Sequence, residues 1–154
     1  MAKSAIFEQC CEVKVEHIDV LGHVNNVCYI AWMQDIALAH SEYLGLGLAE
    51  YQQLNHAMVA VEHHAHYRKP LLLGQKVMLR TWLADINALY SLRRYVFFDP
   101  ENHDVYFMGE TKWACVELKT GRAKRMSPTF TQAYQPLSDD INPYDFQQRY
   151  TDLM

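Results

Sequence analysis

The densest cluster of chemically capable side chains is the run His17-Ile18-Asp19-Val20-Leu21-Gly22-His23-Val24-Asn25-Asn26, followed by Tyr29 and Trp32. An acid a few residues ahead of a helix start is a usable pair. The first backbone N–H groups of a helix have no intrahelical partner and carry the positive end of its dipole, so a carbonyl placed there is polarised. A carboxylate beside it can act as base or nucleophile, and Gly22 lets the loop approach a ligand closely. Each residue also has a plainer reading. Asp19 fits a turn aspartate bonded to its own backbone. His23 fits either proton transfer, or orientation of Asp19, or simple packing. Asn25 and Asn26 fit helix capping, and Tyr29 and Trp32, at helical spacing, fit a core.

Glu62, His64 and His66 share one side of a strand at a spacing that metal ligands use. No fourth ligand or supporting carboxylate is apparent, so a polar face meeting solvent or another subunit is the expectation, with no metal. Gly45-Leu46-Gly47 lacks the third glycine and the preceding strand of a dinucleotide fingerprint. No Gly-x-Ser-x-Gly nucleophile elbow occurs.

The elements that must position these groups follow from periodicity. From 7 to 16 the chain alternates, with Phe7, Cys11, Val13 and Val15 on one side, which reads as a half-buried strand. Residues 17–26 form a polar turn. From about 27 to 44 the pattern is helical and apolar nearly all round, which predicts a helix wrapped by other structure. Asn25 or Asn26 is its natural N-cap and Gly45 its natural stop. After a connection over 46–55, strands are expected at about 57–68, 75–84, 89–99 and 104–118, with a short continuation at 122–126. The breaks carry turn residues at hairpin length, so the sheet is antiparallel. The expected fold class is α+β: five or six antiparallel strands wrapped around one long central helix. A single domain over 1–154 is expected, with its core at about 7–128 and a coil at about 129–154 that packs on the surface or on a partner.

Composition narrows the function classes. The chain has 154 residues, half of them apolar, and a net charge of −4 with acids and bases mixed. That excludes the basic footprint of a nucleic-acid binder. Cys10, Cys11, Cys28 and Cys115 match no zinc spacing and no disulfide framework, so reduced, buried or half-buried thiols are expected. No signal-peptide pattern and no membrane-spanning run is seen, so a soluble cytoplasmic protein is the default.

The run Asp19-x-x-x-His23-Val24-Asn25-Asn26-x-x-Tyr29 resembles the signature of hot-dog-fold thioesterases of the 4-hydroxybenzoyl-CoA thioesterase type, and is closest to their long-chain acyl-CoA branch. His66-Tyr67-Arg68-Lys69-Pro70 looks like that family's Tyr-x-x-Pro, and the order of elements agrees from about residue 8 to 128. The resemblance implies a hot-dog fold and hydrolysis of acyl-CoA thioesters without a cofactor. It implies Asp19 as general base or nucleophile and the backbone N–H of Asn26 as oxyanion donor, with Gly22, His23 and Asn25 in the same catalytic segment. Tyr29, Trp32, Arg68 and Lys69 become substrate contacts, the last two for coenzyme A phosphates. Arg93 and Arg94 are further basic candidates, each an ordinary surface charge taken alone. Some relatives carry a basic cluster between the third and fourth strands. Here that turn is Asp85-Ile86-Asn87-Ala88, which leaves an acyl-carrier-protein substrate open. The family also implies a homodimer or homotetramer, because an open sheet edge recruits a partner. The rival classes are a hot-dog dehydratase or hydratase and a non-catalytic acyl-CoA binding module.

Overall fold

The computed structural model describes residues 5–150. Its elements run β1 (Ile6–Glu12), a short 3-10 turn (Val15–His17), α1 (Asn26–Tyr43), α2 (Leu48–Leu54), β2 (His56–Tyr67), β3 (Lys76–Ile86), β4 (Tyr90–Phe98), β5 (Val105–Glu117) and α3 (Pro128–Ala133). The five strands form one antiparallel sheet in the order β1-β3-β4-β5-β2. The two edges are therefore the short β1 and the long β2.

Helix α1 is about 27 Å long at helical rise. It lays Tyr29, Trp32, Met33, Ile36 and Ala37 on the inner face of the sheet, against Leu79, Tyr95, Phe97 and Phe107. Gly109 on β5 permits the close approach: a Cβ there would strike Met33 Sδ and come within 2.8 Å of the Phe107 ring. The wrapping of the helix is less complete than its composition suggests. Val27 and Leu38 are exposed.

The first strand is shorter than the alternation predicts. It ends at Glu12, and Val15 is 74% exposed. The cause is local: Val13 bonds the Gly74–Gln75 turn (2.9 and 3.0 Å), and His17 Nδ1 then accepts from the Lys14 N–H at 2.9 Å, which curls the chain into the 3-10 turn. The expected continuation at 122–126 reduces to one bridge, Val116 to Ala123, so among the described residues the sheet has five strands. The 46–55 connection contains α2, started by the Gly47 N–H bonding Glu50 Oε2 at 2.9 Å and stopped by Asn55 in the left-handed region (φ +52°). Cys10 is exposed, against the expectation of a buried or half-buried thiol.

The C-terminal segment is not plain coil. Residues 128–133 form α3, whose Phe130 joins Leu46, Leu83, Cys115 and Tyr134 in a second core under α2. Beyond it, Leu137, Phe146 and Tyr150 cover the outer face of the sheet over Ile6, Met78, Trp82, Val96 and Phe98. The fastening is Arg80, fully buried on β3. It pairs with Glu8 of β1 at 2.8 Å and donates to the carbonyls of Pro143, Asp145 and Gln148 at 2.7–3.0 Å. Phe98, Phe146 and Tyr150 close over its guanidinium. Among the described residues no helix is long and apolar enough to cross a membrane.

Candidate active site

The loop between the 3-10 turn and α1 is a tight hairpin. Ile18 bridges Val24, the Asp19 N–H donates to the His23 carbonyl at 2.8 Å, and the Gly22 N–H donates to the Asp19 carbonyl at 3.1 Å. Gly22 takes φ +83°, a conformation other residues adopt at a cost. The base of the loop is closed by the Asn25 N–H on the His17 carbonyl (2.8 Å) and tied to the sheet side by the Val24 N–H on the Leu71 carbonyl (2.9 Å). Within this frame Asp19 Oδ1 accepts from the Leu21 N–H at 2.9 Å and the His23 N–H at 3.4 Å. The turn role of Asp19 is thus real, and it occupies one carboxylate oxygen. Oδ2 has no hydrogen-bond partner among the described residues, and the side chain is only partly buried. His23 touches Asp19 through its backbone; its imidazole is exposed.

At the start of α1, Asn25 is the N-cap. Its Oδ1 accepts from the Val27 N–H at 3.0 Å, and its carbonyl accepts from the Cys28 N–H at 2.9 Å. The Asn26 N–H is the one group of this first turn that meets no acceptor among the described residues. Its carbonyl is held by the Tyr67 hydroxyl at 3.1 Å. Beneath this turn lies a layer of rings. Tyr29 packs on Tyr67, Phe107 and Trp32 at 5.0–5.6 Å, and His17 meets Trp32 edge-on at 5.2 Å. Tyr29 and Trp32 are therefore core residues that support the site, and burial pushes the Tyr29 phenol up. An unengaged N–H at the positive end of a long helix can polarise a carbonyl, and the open oxygen of the carboxylate in the loop leading into that helix is of a type that can serve as base or nucleophile.

The basic residues separate clearly. Lys69 is bonded to Asp104 at 2.6 Å and its charge is matched there. Arg68 is exposed, and among the described residues its guanidinium hydrogen-bonds only Met108 Sδ, at 3.5 Å. With His64, His66, Arg94 and Tyr144 it lines an open groove of about 770 Å³. Arg94 pairs with Glu110 at 3.0 Å. Arg93, expected at the surface, is buried at 3% exposure because it points inward on β4. Among the described residues no three His, Cys, Asp or Glu side chains are arranged to hold a metal; His64 and Glu62 are a loose pair at 3.9 Å. His17 and Tyr67 lie in segments that the sequence singles out, but neither has a role of its own in that reading. Tyr67 does fall in the Tyr-x-x-Pro segment, which is the signal that points to it.

Sheet order and central helix define a hot-dog fold. The sequence profile of the thioesterase-like superfamily matches residues 13–134, and the chain belongs to that superfamily. The chain is 28% identical over 116 residues to the long-chain acyl-CoA thioesterase FadM of Escherichia coli (strain K12), covering 73% of this chain and 84% of FadM. It is 23% identical over 127 residues to YneP of Bacillus subtilis (strain 168), covering 80% and 91%. In fold it resembles SAV2348 of Staphylococcus aureus, solved in complex with CoA, with TM-score 0.80, 18% identity and coverage of 93% and 94%. The DHNA-CoA thioesterase of Staphylococcus aureus gives TM-score 0.76 and 21% identity over 84% and 88% of the two chains.

Proposed function

We propose that the chain hydrolyses acyl-CoA thioesters to the free acid and coenzyme A at the start of α1. The thioester carbonyl sits against the Asn26 N–H, and Asp19 attacks it or activates a water. The supporting observation is that two groups of the helix-start segment have no hydrogen-bond partner among the described residues: the Asn26 N–H and Asp19 Oδ2. The first-turn N–H stabilises the negative charge that develops on the carbonyl oxygen. Gly22 and Asn25 shape the turn, and Tyr29 and Trp32 back it. Arg68 is the phosphate contact, since Lys69 is already paired. The long-chain activity named for FadM favours an aliphatic acyl group.

The protein works as at least a homodimer in this reading. Strand β2 has twelve residues, a sheet neighbour on one side only, and exposed Val59, Val61 and Tyr67. An edge this long is a template for a second copy. Light scattering at micromolar concentration checks it: a dimer or tetramer is expected, and a monomer contradicts it.

The activity is tested by thiol release over acyl-CoAs of graded length, one aromatic acyl-CoA and one acyl-carrier-protein thioester. Thiol appearing with medium or long acyl-CoA is the expected result. Cleavage of the carrier-protein thioester alone would move the substrate class. Hydration of an enoyl thioester without thiol would replace hydrolysis by a hydratase, and binding without turnover of any member would leave a binding module.

A further inference from the structure

A cavity of about 100 Å³ lies between the middle of α1 and the sheet. Leu38, Met58 and Leu83 give it apolar walls, and Arg93, Ser41 and Tyr134 bring polar groups to it. It is well above the volume that one water needs. Arg93 is its unusual member. The guanidinium is buried, and both of its hydrogen bonds among the described residues fall on Nη1: one to His40 Nδ1 at 2.9 Å and one to Thr81 Oγ1 at 3.0 Å. Arginine can only donate, so His40 Nδ1 accepts. No carboxylate among the described residues reaches Arg93; the groups around it are the hydroxyls of Tyr95, Tyr134 and Tyr51, and burial pulls its pKa down. At the same end, Tyr134 Oη meets Ser41 Oγ at 2.6 Å and Tyr51 Oη at 3.0 Å.

A buried cation without a counter-charge is costly, and buried charges are as a rule paired. The same chain shows the usual solution at Arg80, which is equally buried and holds Glu8. Arg93 has the burial with no anion among the described residues, and it borders a cavity.

The cavity is aligned with the proposed reaction centre. Val27, Ala31, Gln34, Leu38 and Ser41 recur at alternating steps of four and three, so they share one face of α1. This face starts one residue after Asn26. Gln34, Leu38 and Ser41 reach the cavity, and Val27 and Leu38 are exposed apolar side chains along the way. From Asn26 to Ser41 is fifteen positions, about 22 Å along the helix. An acyl chain with its carbonyl at Asn26 and its methylenes on this stripe ends at Arg93.

We propose that the Arg93 cavity binds a carboxylate at the far end of the acyl chain, so that the preferred substrate is an ω-carboxyacyl thioester and not a methyl-ended one. This rests on the thioesterase reading for the position of the acyl carbonyl. The guanidinium supplies the charge, and the Ser41–Tyr134–Tyr51 hydroxyl chain, whose two internal bonds use two of its three protons, keeps one further donor.

The test uses matched S-alkyl-CoA thioethers, which cannot be hydrolysed, ending in methyl or in carboxylate over a series of chain lengths. Their binding to the full chain is followed by calorimetry. A charge-assisted hydrogen bond sets the scale, and the carboxylate form is expected to bind about tenfold or more tightly. The advantage should appear only at lengths that span the stripe, and it should vanish in Arg93→Met. Equal or tighter binding of the methyl form overturns the proposal. A carboxylate advantage that is independent of length, or that survives in a folded Arg93→Met, also overturns it, because the anion then binds elsewhere. If Arg93→Met does not fold, the length dependence in the unaltered protein decides. A carboxylate preference without thiol release from the matching thioesters sinks hydrolysis alone. Thiol release from methyl-ended thioesters with no carboxylate preference sinks this proposal alone. Binding of neither thioether sinks both.

Discussion

The Tyr67 hydroxyl donates to the Asn26 carbonyl at 3.1 Å and so fastens the end of β2 to the first turn of α1. The bond fixes the Asn26–Val27 peptide, which adjoins at the Asn26 Cα the peptide whose N–H is the proposed oxyanion donor. It also couples that donor to the edge strand through which a second copy is proposed to pair. Tyr67→Phe removes the bond and keeps the ring edge-on against Tyr29 and Phe107. A hydrogen bond of this kind is worth about 0.5–1.5 kcal/mol. If it acts mainly on the transition state, kcat falls about 2- to 10-fold, since 1.4 kcal/mol is roughly tenfold, while the melting temperature moves little. An unchanged kcat would show that the first turn holds its place without Tyr67.

Arg80 and Glu8 give a stability prediction with a definite asymmetry. Both side chains are fully buried. Removing one partner strands the other charge, and such lesions cost about 3–5 kcal/mol. Arg80→Met also releases the carbonyls of Pro143, Asp145 and Gln148. Urea denaturation should show a large loss for Arg80→Met or Glu8→Gln, and limited proteolysis should cut the freed 137–150 segment in Arg80→Met. The double substitution should lose less than the sum of the two. Strict additivity would contradict the pairing.

His56 makes stability depend on pH. It is buried, stacked on Phe130 at 4.9 Å, with Nδ1 3.6 Å from Cys115 Sγ. Burial first, and the Lys124 charge second, hold its pKa below the usual histidine value. The unfolded chain therefore takes up the proton first as pH falls through about 6.5. Stability is lost from there down to the folded pKa and is level above that window. The melting temperature should fall between pH 7 and pH 5, and His56→Phe, which keeps a ring against Phe130, should flatten part of that fall. An equal slope in His56→Phe would assign the acid sensitivity to other groups, His63 among them, whose pKa burial also lowers.

What the sequence made legible was mostly local. Asp19, Gly22 and Asn25 act through bonds within ten residues, and loop, cap and helix stop lie where their types predict, with Gly45 at φ +86° after α1. The four later strands agree to within about two residues, because their turns carry strong breakers. What was illegible depends on tertiary partners. Arg93 looks like any strand arginine until β4 turns it inward toward His40 and Thr81. Val15 continues an alternation that the His17 ring interrupts. Arg80 and Glu8 are seventy-two positions apart, and no periodicity announces that a buried pair will clamp the tail. Helix α2 was within reach: Glu50 three positions after Gly47 is a helix-start spacing.

The most direct measurement of the central claim is turnover in Asp19→Asn, taken with its melting temperature and its binding of an unhydrolysable thioether. Asparagine retains the Oδ1 acceptor for the Leu21 N–H, so the hairpin and the fold should persist, with a stability change within about 1–2 kcal/mol. It lacks the charge that a base or nucleophile requires. The account predicts that turnover falls by about 10²–10⁴-fold or more, with the melt and ligand binding nearly unchanged. Near-wild-type turnover, in protein verified by mass spectrometry to contain asparagine, would contradict the account and leave Asp19 a turn residue only.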